Sequence, residues 1–270
     1  MYEKLSIVVP FYNAQSYIER CMRSLDIAVR GRNDTVEVIF VDDGSTDLST
    51  ETCSRLCLEY KFKLVVCKDN QGVSAARTRG LCYCNGEWVT FLDVDDTMLP
   101  EGIDIILKYV EKYKEYNVIQ FNHDRYYVEL NKRVCKYKNK TGQYNCIDSF
   151  EDLKSYTPVW NKVYKRKFLY TNCIEFDYGL NFGEDLLFNL KCTSVDPMLY
   201  HVGKSSILRY FDNKYSLARS SDIESFVMLI RHLCDMISSS NDTRFQDLVR
   251  KVIIKECSSS WCKDIVIGGN

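Results

Sequence analysis

Four short apolar runs, each but the last followed by a stretch with helical spacing, fill the first hundred residues. They are Leu5–Val9, Val36–Val41, Phe62–Cys67 and Trp88–Leu92, with helices expected over 14–29, 46–60 and 73–84. Strands this uniformly apolar are buried on both faces, whereas a strand with one wet face alternates. Strand–helix alternation therefore predicts an α/β fold, a mostly parallel sheet flanked by helices.

The polar residues collect where those strands end. Strand one runs into Pro10-Phe11-Tyr12-Asn13 and strand two into Asp42-Asp43-Gly44-Ser45-Thr46-Asp47. Strand three is followed by Asp69-Asn70-Gln71-Gly72, and strand four by Asp93-Val94-Asp95-Asp96. Each taken alone is ordinary turn and capping chemistry. Open parallel sheets bind ligands beyond the carboxyl ends of their strands, so four polar loops on one edge predict a shared nucleotide site.

The fourth loop carries the most chemistry. Side chains alternate along extended backbone, so Asp93 and Asp95 share a face. With no Lys or Arg close to them in sequence, the two carboxylates repel unless a cation sits between them. Oxygen ligands with open positions suit Mg²⁺ or Mn²⁺, which commonly hold a substrate phosphate too. An acidic turn capping a helix is the plainer alternative.

Bulk composition excludes several classes. At 270 residues with a formal net charge of −1, the chain has no global field for nucleic acid. Between 131 and 170 ten Lys or Arg face three acids, a basic stretch that includes Lys136, Lys138 and Lys140. That stretch is either a solvated face or a surface for anionic lipid or a phosphate-bearing acceptor. Thirteen cysteines, an odd number without a Cys-x-x-Cys pair, fall largely in helical periods and behave as small hydrophobes. No signal peptide or ~20-residue apolar span is evident, and the expectation is a cytoplasmic protein able to meet the inner face of the membrane.

Beyond Pro100 a helix is expected over 101–116, a strand over 118–122 and a hairpin through 126–134. The spacing of Leu186, Leu187 and Leu190 predicts a helix whose first turn holds Glu184 and Asp185. Two amphipathic helices follow, over 223–238 and 244–257, and His201 falls in an expected buried strand.

Five segments in order resemble the family 2 glycosyltransferases of the GT-A fold. They are Ser6–Asn13, Val41–Asp47, Asn70–Arg77, Gly86–Asp96 and Gly183–Asp185. The resemblance implies a GT-A (Rossmann-like) architecture and a metal-dependent, inverting transfer from a nucleotide sugar, commonly a UDP-sugar. It implies that Asp43, following Asp42, reads the base, with Pro10 and Tyr12 as pocket walls. Asn70, Gly72 and Val94 join them, Arg77 lies at the base and ribose side, and Asp93 lies near the ribose. Asp95, with Asp93, would hold Mn²⁺ or Mg²⁺ at the diphosphate. Asp185 would be the general base with Glu184 beside it, and Trp160, Asn161 and Lys162 would lie on the acceptor side. Trp160 reads equally as plain core.

Thr78 stands where relatives often have Asn, and Arg209-Tyr210-Phe211 before Ser216 shifts an expected arginine, so that Arg209 or Arg219 would replace it. The expected organisation is a transferase domain over 1–215, with a nucleotide half (1–100) and an acceptor half (101–215), then a C-terminal helical extension over 216–270. The expected partners are the nucleotide-sugar donor, a glycan or lipid-linked acceptor as in cell-surface polysaccharide synthesis, and a peripheral membrane contact; nucleic acid is not expected. Two other readings stand beside this one. Asp93-Val94-Asp95-Asp96-Thr97 also fits a haloacid-dehalogenase phosphatase, with Asp93 as nucleophile and Asp95 as acid/base, although Gly183-Glu184-Asp185 lacks that family's second downstream acid. The other is a nucleotide-sugar binding module without turnover.

Overall fold

A computed structural model of the protein describes residues 3–32, 34–135, 141–148, 157–180, 182–212 and 223–258. Lys136, Lys138, Lys140, Ser216 and Arg219, singled out above, lie outside these residues, as do the 215/216 boundary and 259–270.

The four apolar runs become β1 (Leu5–Phe11), β2 (Val36–Asp42), β3 (Lys63–Val66) and β4 (Trp88–Phe91). They form a parallel block in the order β3-β2-β1-β4, with Leu5 opposite both Val36 and Trp88. Between them run α1 (Gln15–Val29), α2 (Ser49–Tyr60) and α3 (Val73–Cys82). Alternation along β1 explains the layers. Leu5, Ile7, Val9 and Phe11 point into one core with Ile18, Met22 and Leu25 of α1, while Val8 points into the other. Helix α2 begins at Ser49, later than the expected 46, and the amides of Thr46 and Asp47 in the loop ahead of it bond to Asn13 Oδ1 (2.8 and 3.3 Å).

The sheet then becomes mixed. Strand β5 (Thr97–Met98), α4 (Gly102–Lys112), β6 (Val118–Tyr127), β7 (Lys132–Cys135) and β8 (Gly142–Asn145) follow. Next come β9 (Lys162–Lys165), α5 (Arg166–Thr171), α6 (Glu184–Val195), β10 (Met198–Asp212), α7 (Ile223–Ser239) and α8 (Thr243–Cys257). Strand β9 inserts antiparallel between β4 and β6, and β10 runs parallel to β6. The expected hairpin is β6–β7, and pairing to β7 and β10 carries β6 five residues past the expected end at 122. Helix α4 stops at Lys112, short of the expected 116, where Tyr113 turns aside and stacks on Tyr200 with ring centroids 3.7 Å apart. Helices α7 and α8 place Leu229, Leu233, Phe245, Leu248 and Val252 in the core shared with Val8, Phe91 and Leu187. The eleven cysteines whose side chains are described are all free thiols.

Candidate active site

The loops after β1, β2 and β3 brace one another. Asn13, at φ 47°, donates its amide to Ser45 Oγ (3.0 Å), and Asp42 Oδ1 accepts from Ser45 N (2.9 Å) while Thr50 Oγ1 donates to its other oxygen. Both Asp42 oxygens are therefore committed to the loop. Asp43 accepts from the amides of Gln71 (3.1 Å) and Gly72 (2.7 Å), and Asn70 Oδ1 also accepts from Gly72 N (3.2 Å). Burial pushes the Asp43 carboxyl up in pKa, and those amides offset part of the rise. This junction requires Gly44. At φ +75° a Cβ there would lie 2.8 Å from the Asp69 carbonyl carbon. Pro10 is buried, and Tyr12, 44 % exposed, is the open aromatic at this edge.

The end of β4 gathers Asp93, Asp95 and Asp96, each offering a carboxylate oxygen within 4.8 Å of the other two. Asp95 is raised to about 6 by burial and by the charge of Asp93. Asp96 is fully buried and raised well above the usual range by burial and by Asp95. Its Oδ1 accepts from Phe211 N (2.8 Å), while Oδ2 is buried without a hydrogen-bond partner. An orphaned carboxylate oxygen is costly alone and is what a hard cation satisfies, so the three acids fit Mg²⁺ or Mn²⁺. Asp96, missed as a site residue in the sequence, is read as one only through its burial and its tie to β10. Val94 between them packs on the core. Arg20 of α1 donates to the Asp95 carbonyl and lies 4.0 Å over the Phe211 ring, a contact across 75 residues with no sequence signature.

Arg77 organises the rest. It is 3 % exposed on α3, with its guanidinium over Phe176. Nη2 donates to Asp93 Oδ1 (2.8 Å), and Nη1 donates to Asp185 Oδ1 (2.8 Å) and Glu184 Oε1 (3.1 Å). The cation that sequence reasoning demanded beside Asp93 is thus supplied in part by the protein itself, from sixteen residues upstream. One side chain holds Asp93 and the two α6 acids in a single site.

Gly183 lets α6 begin here. It is left-handed at φ +78°, and a Cβ would come within 2.7 Å of Leu229 Cδ2 on α7. Glu184 and Asp185 occupy the first turn, as expected. Asp185 Oδ2 accepts from Val159 N (3.1 Å). Burial raises the Asp185 carboxyl to about 7 despite the lowering pull of Arg77, with Glu184 and Asp93 adding to the rise. A carboxylate near 7 is poised to take a proton at neutral pH.

The expected acceptor trio sits deeper than anticipated. Trp160 belongs to the core and stacks on Tyr210 with centroids 5.3 Å apart. Asn161 and Lys162 are buried, and Lys162 is 0 % exposed with its Nζ on Pro158 O (2.5 Å) and Asn161 Oδ1 (3.0 Å). Lys162 and Asn161 therefore do not present themselves to an acceptor from solvent. The reason is that β9 is an interior strand with neighbours on both sides. His201 is buried on β10, as expected, and neither ring nitrogen has a hydrogen-bond partner. Arg209 lies on β10 opposite Thr97 of β5.

Comparison with known proteins bears on the family and the fold. The model of glycosyl transferase family 2 matches residues 6–171. Glycosyltransferase GlyA of Streptococcus pneumoniae is 28 % identical over 234 residues, covering 80 % of this chain and 32 % of its own length. The chain spans between 32 % and 64 % of the length of the first curated relatives it matches. In structure it is similar to Staphylococcus aureus TarS 1-349 in complex with UDP-GlcNAc, with TM-score 0.83 and 19 % identity over 99 % of this chain and 76 % of that one. Mannosyltransferase PcManGT from Pyrobaculum calidifontis, in complex with GDP-Man and Mn²⁺, gives TM-score 0.70 and 14 % identity over 99 % and 74 %. The fold is the mixed α/β sheet of the GT-A glycosyltransferases.

Proposed function

Because the chain belongs to glycosyl transferase family 2, we propose that it is a metal-dependent, inverting transferase. It moves a sugar from a nucleotide sugar, a UDP-sugar for preference, to a hydroxyl of a glycan or lipid-linked acceptor. The observation that carries this reading is the Arg77 guanidinium, which binds Asp93 and Asp185 at 2.8 Å each. That shared contact supports a base lying one side chain away from the donor site. The UDP-GlcNAc held by TarS and the GDP-Man and Mn²⁺ held by PcManGT support a nucleotide sugar and a divalent cation here too.

In this mechanism the base stacks at Tyr12 and Pro10 and meets Asp43, beside the Asn70–Gly72 turn. Asp95, with Asp93 and Asp96, would hold the cation, which when bound would neutralise charge developing on the diphosphate. Asp185 takes the acceptor's hydroxyl proton as that oxygen bonds to the anomeric carbon from the opposite face. The bond from that carbon to the diphosphate oxygen breaks, and the nucleoside diphosphate leaves with the electron pair. A single displacement of this kind inverts the anomeric centre. The nucleotide half over 1–100, the acceptor half over 101–215 and the helical region over 216–270 are part of the same proposal. So are a role in cell-surface polysaccharide synthesis and a cytoplasmic location with peripheral membrane contact; no described helix is long and apolar enough to cross a membrane.

Thermal shift with UDP and Mn²⁺, paired with a transfer assay over a panel of sugar nucleotides, tests the reading. Asp95→Ala should lose the shift. Asp185→Asn should keep the shift and lose transfer, and transfer by the parent should rise with pH through about 7 as Asp185 loses its proton. Retained transfer in Asp185→Asn would refute the base assignment. A panel that stabilises the protein without any turnover would favour a binding module.

A further inference from the structure

The buried lysine of β9 plays no part in the mechanism above, yet its position relative to the base is informative. Residues 157–161 form a strap that passes over the start of α6. Asn189, one turn into α6 from Asp185, donates from Nδ2 to Thr157 O (2.7 Å) and to Asp185 O (2.8 Å). Tyr164 donates its hydroxyl to Asn189 Oδ1 (2.9 Å), which fixes the orientation of that amide. Lys162 Nζ donates to Pro158 O (2.5 Å), the next carbonyl along the strap. The following residue, Val159, donates its amide to Asp185 Oδ2 (3.1 Å). Two successive carbonyls are thus anchored, and the next N–H is the one on the base.

We infer that Lys162 is a positioning residue for Asp185: its Nζ, donating to Pro158 O, holds the strap so that the Val159 amide stays on the base's second oxygen. The inference rests on Asp185 being the base. A surface role for this cation is ruled out by its complete burial. Burial also makes the lysine expensive to keep charged and lowers it to about 7. An apolar side chain would pack there at less cost, so what the lysine adds is the donor aimed at Pro158 O. Pro158 has a fixed φ and no amide of its own, so an anchor on its carbonyl is transmitted to Val159. With Oδ1 held by Arg77 and Oδ2 by Val159, the Asp185 carboxylate is restrained at both oxygens.

The test is Lys162→Met, a substitution close in length that removes the donor together with its charge, which also faces Asp185. The charged and titratable groups facing Asp185 are Arg77 of α3, Asp93 after β4, Glu184 of its own helix, and Lys162 and Tyr164 of β9. The expected result is a kcat lowered roughly 10- to 100-fold, as for a misplaced catalytic group, with donor KM and the UDP–Mn²⁺ thermal shift unchanged. The acid limb of the kcat–pH profile should move upward, because an amide that favours the ionised carboxylate has been loosened. Asn189→Leu, which cuts the tie at Thr157, should act in the same direction and decides the matter should Lys162→Met fail to fold. Unchanged kcat and pH limb in a folded variant, or a loss confined to KM, overturns the inference. Retained transfer in Asp185→Asn would instead remove the base assignment itself, so the two failures are distinguishable.

Discussion

Arg77→Met is the sharpest perturbation available, since it removes one cation from among three acids. The guanidinium is 3 % exposed, and the Asp93, Asp185 and Glu184 side chains are 29, 19 and 17 % exposed. Breaking a buried ion pair by deleting one partner costs about 3–5 kcal/mol, because the remaining charge is left uncompensated. Partial access of water to the three acids screens their repulsion, which selects the lower end, about 3 kcal/mol. At roughly 2–4 °C per kcal/mol for a chain of this size class, Tm should fall by about 6–12 °C. The pH dependence gives the sign. Without the guanidinium, Asp185 loses the charge that lowers it and holds its proton to still higher pH in the folded state than when unfolded. A group with a raised folded pKa gains folded stability as pH falls through that value. The parent–variant gap in thermal unfolding should therefore be widest near pH 8 and narrow toward pH 5, and Asp185→Asn in the Arg77→Met background should recover part of the loss. A gap under about 2 °C at pH 8, or one that widens on acidification, refutes the account of Arg77 as the counter-charge that assembles the site.

Three further outcomes follow from other contacts. Gly183→Ala combines a left-handed backbone with a Cβ 2.7 Å from Leu229 Cδ2, and denaturant unfolding should show a loss of about 1–3 kcal/mol, partly relieved by Leu229→Ala. Glu37, buried at the amino edge of the sheet, accepts from Ser6, Lys63 and the Asn85 and Gly86 amides. Burial alone would raise its carboxyl, but Lys63, Ser6 and Asn85 outweigh that and leave it lowered, so its contribution is present above the unfolded carboxylate value and disappears as pH falls through the lowered one. Glu37→Gln should accordingly destabilise by about 1–3 kcal/mol at pH 7 in urea melts, with the difference shrinking at acid pH. Asp96→Asn keeps an acceptor for the Phe211 amide while removing a negative oxygen from the acidic cluster, so a Mn²⁺ titration followed by nucleotide-dependent thermal shift should need at least several-fold more metal.

Much was legible from local pattern alone. The four apolar runs, their parallel pairing and the loops at their carboxyl ends follow from period-2 and period-3.6 spacing, which any contiguous window displays. Glu184 and Asp185 in the first turn after Gly183 are a local fact of the same kind. Asp93 and Asp95 adjoin β4 as expected but lie past its end at Phe91, in a turn closed by Asp96 N on Asp93 O and not on extended backbone, so strand alternation does not explain their meeting. What tertiary structure decided was which of these residues meet. Arg77 is sixteen residues from Asp93 and 108 from Asp185, Asp96 reaches Phe211 across 115, and Arg20 reaches Asp95 across 75. Lys162 reads in sequence as a member of a basic stretch and, by resemblance, as an acceptor-side residue, and only the insertion of β9 between β4 and β6 buries it. The reason is physical: periodicity records which face of an element is apolar, whereas the partner of a buried charge is chosen by how distant elements pack, and no window of sequence contains both ends of that choice.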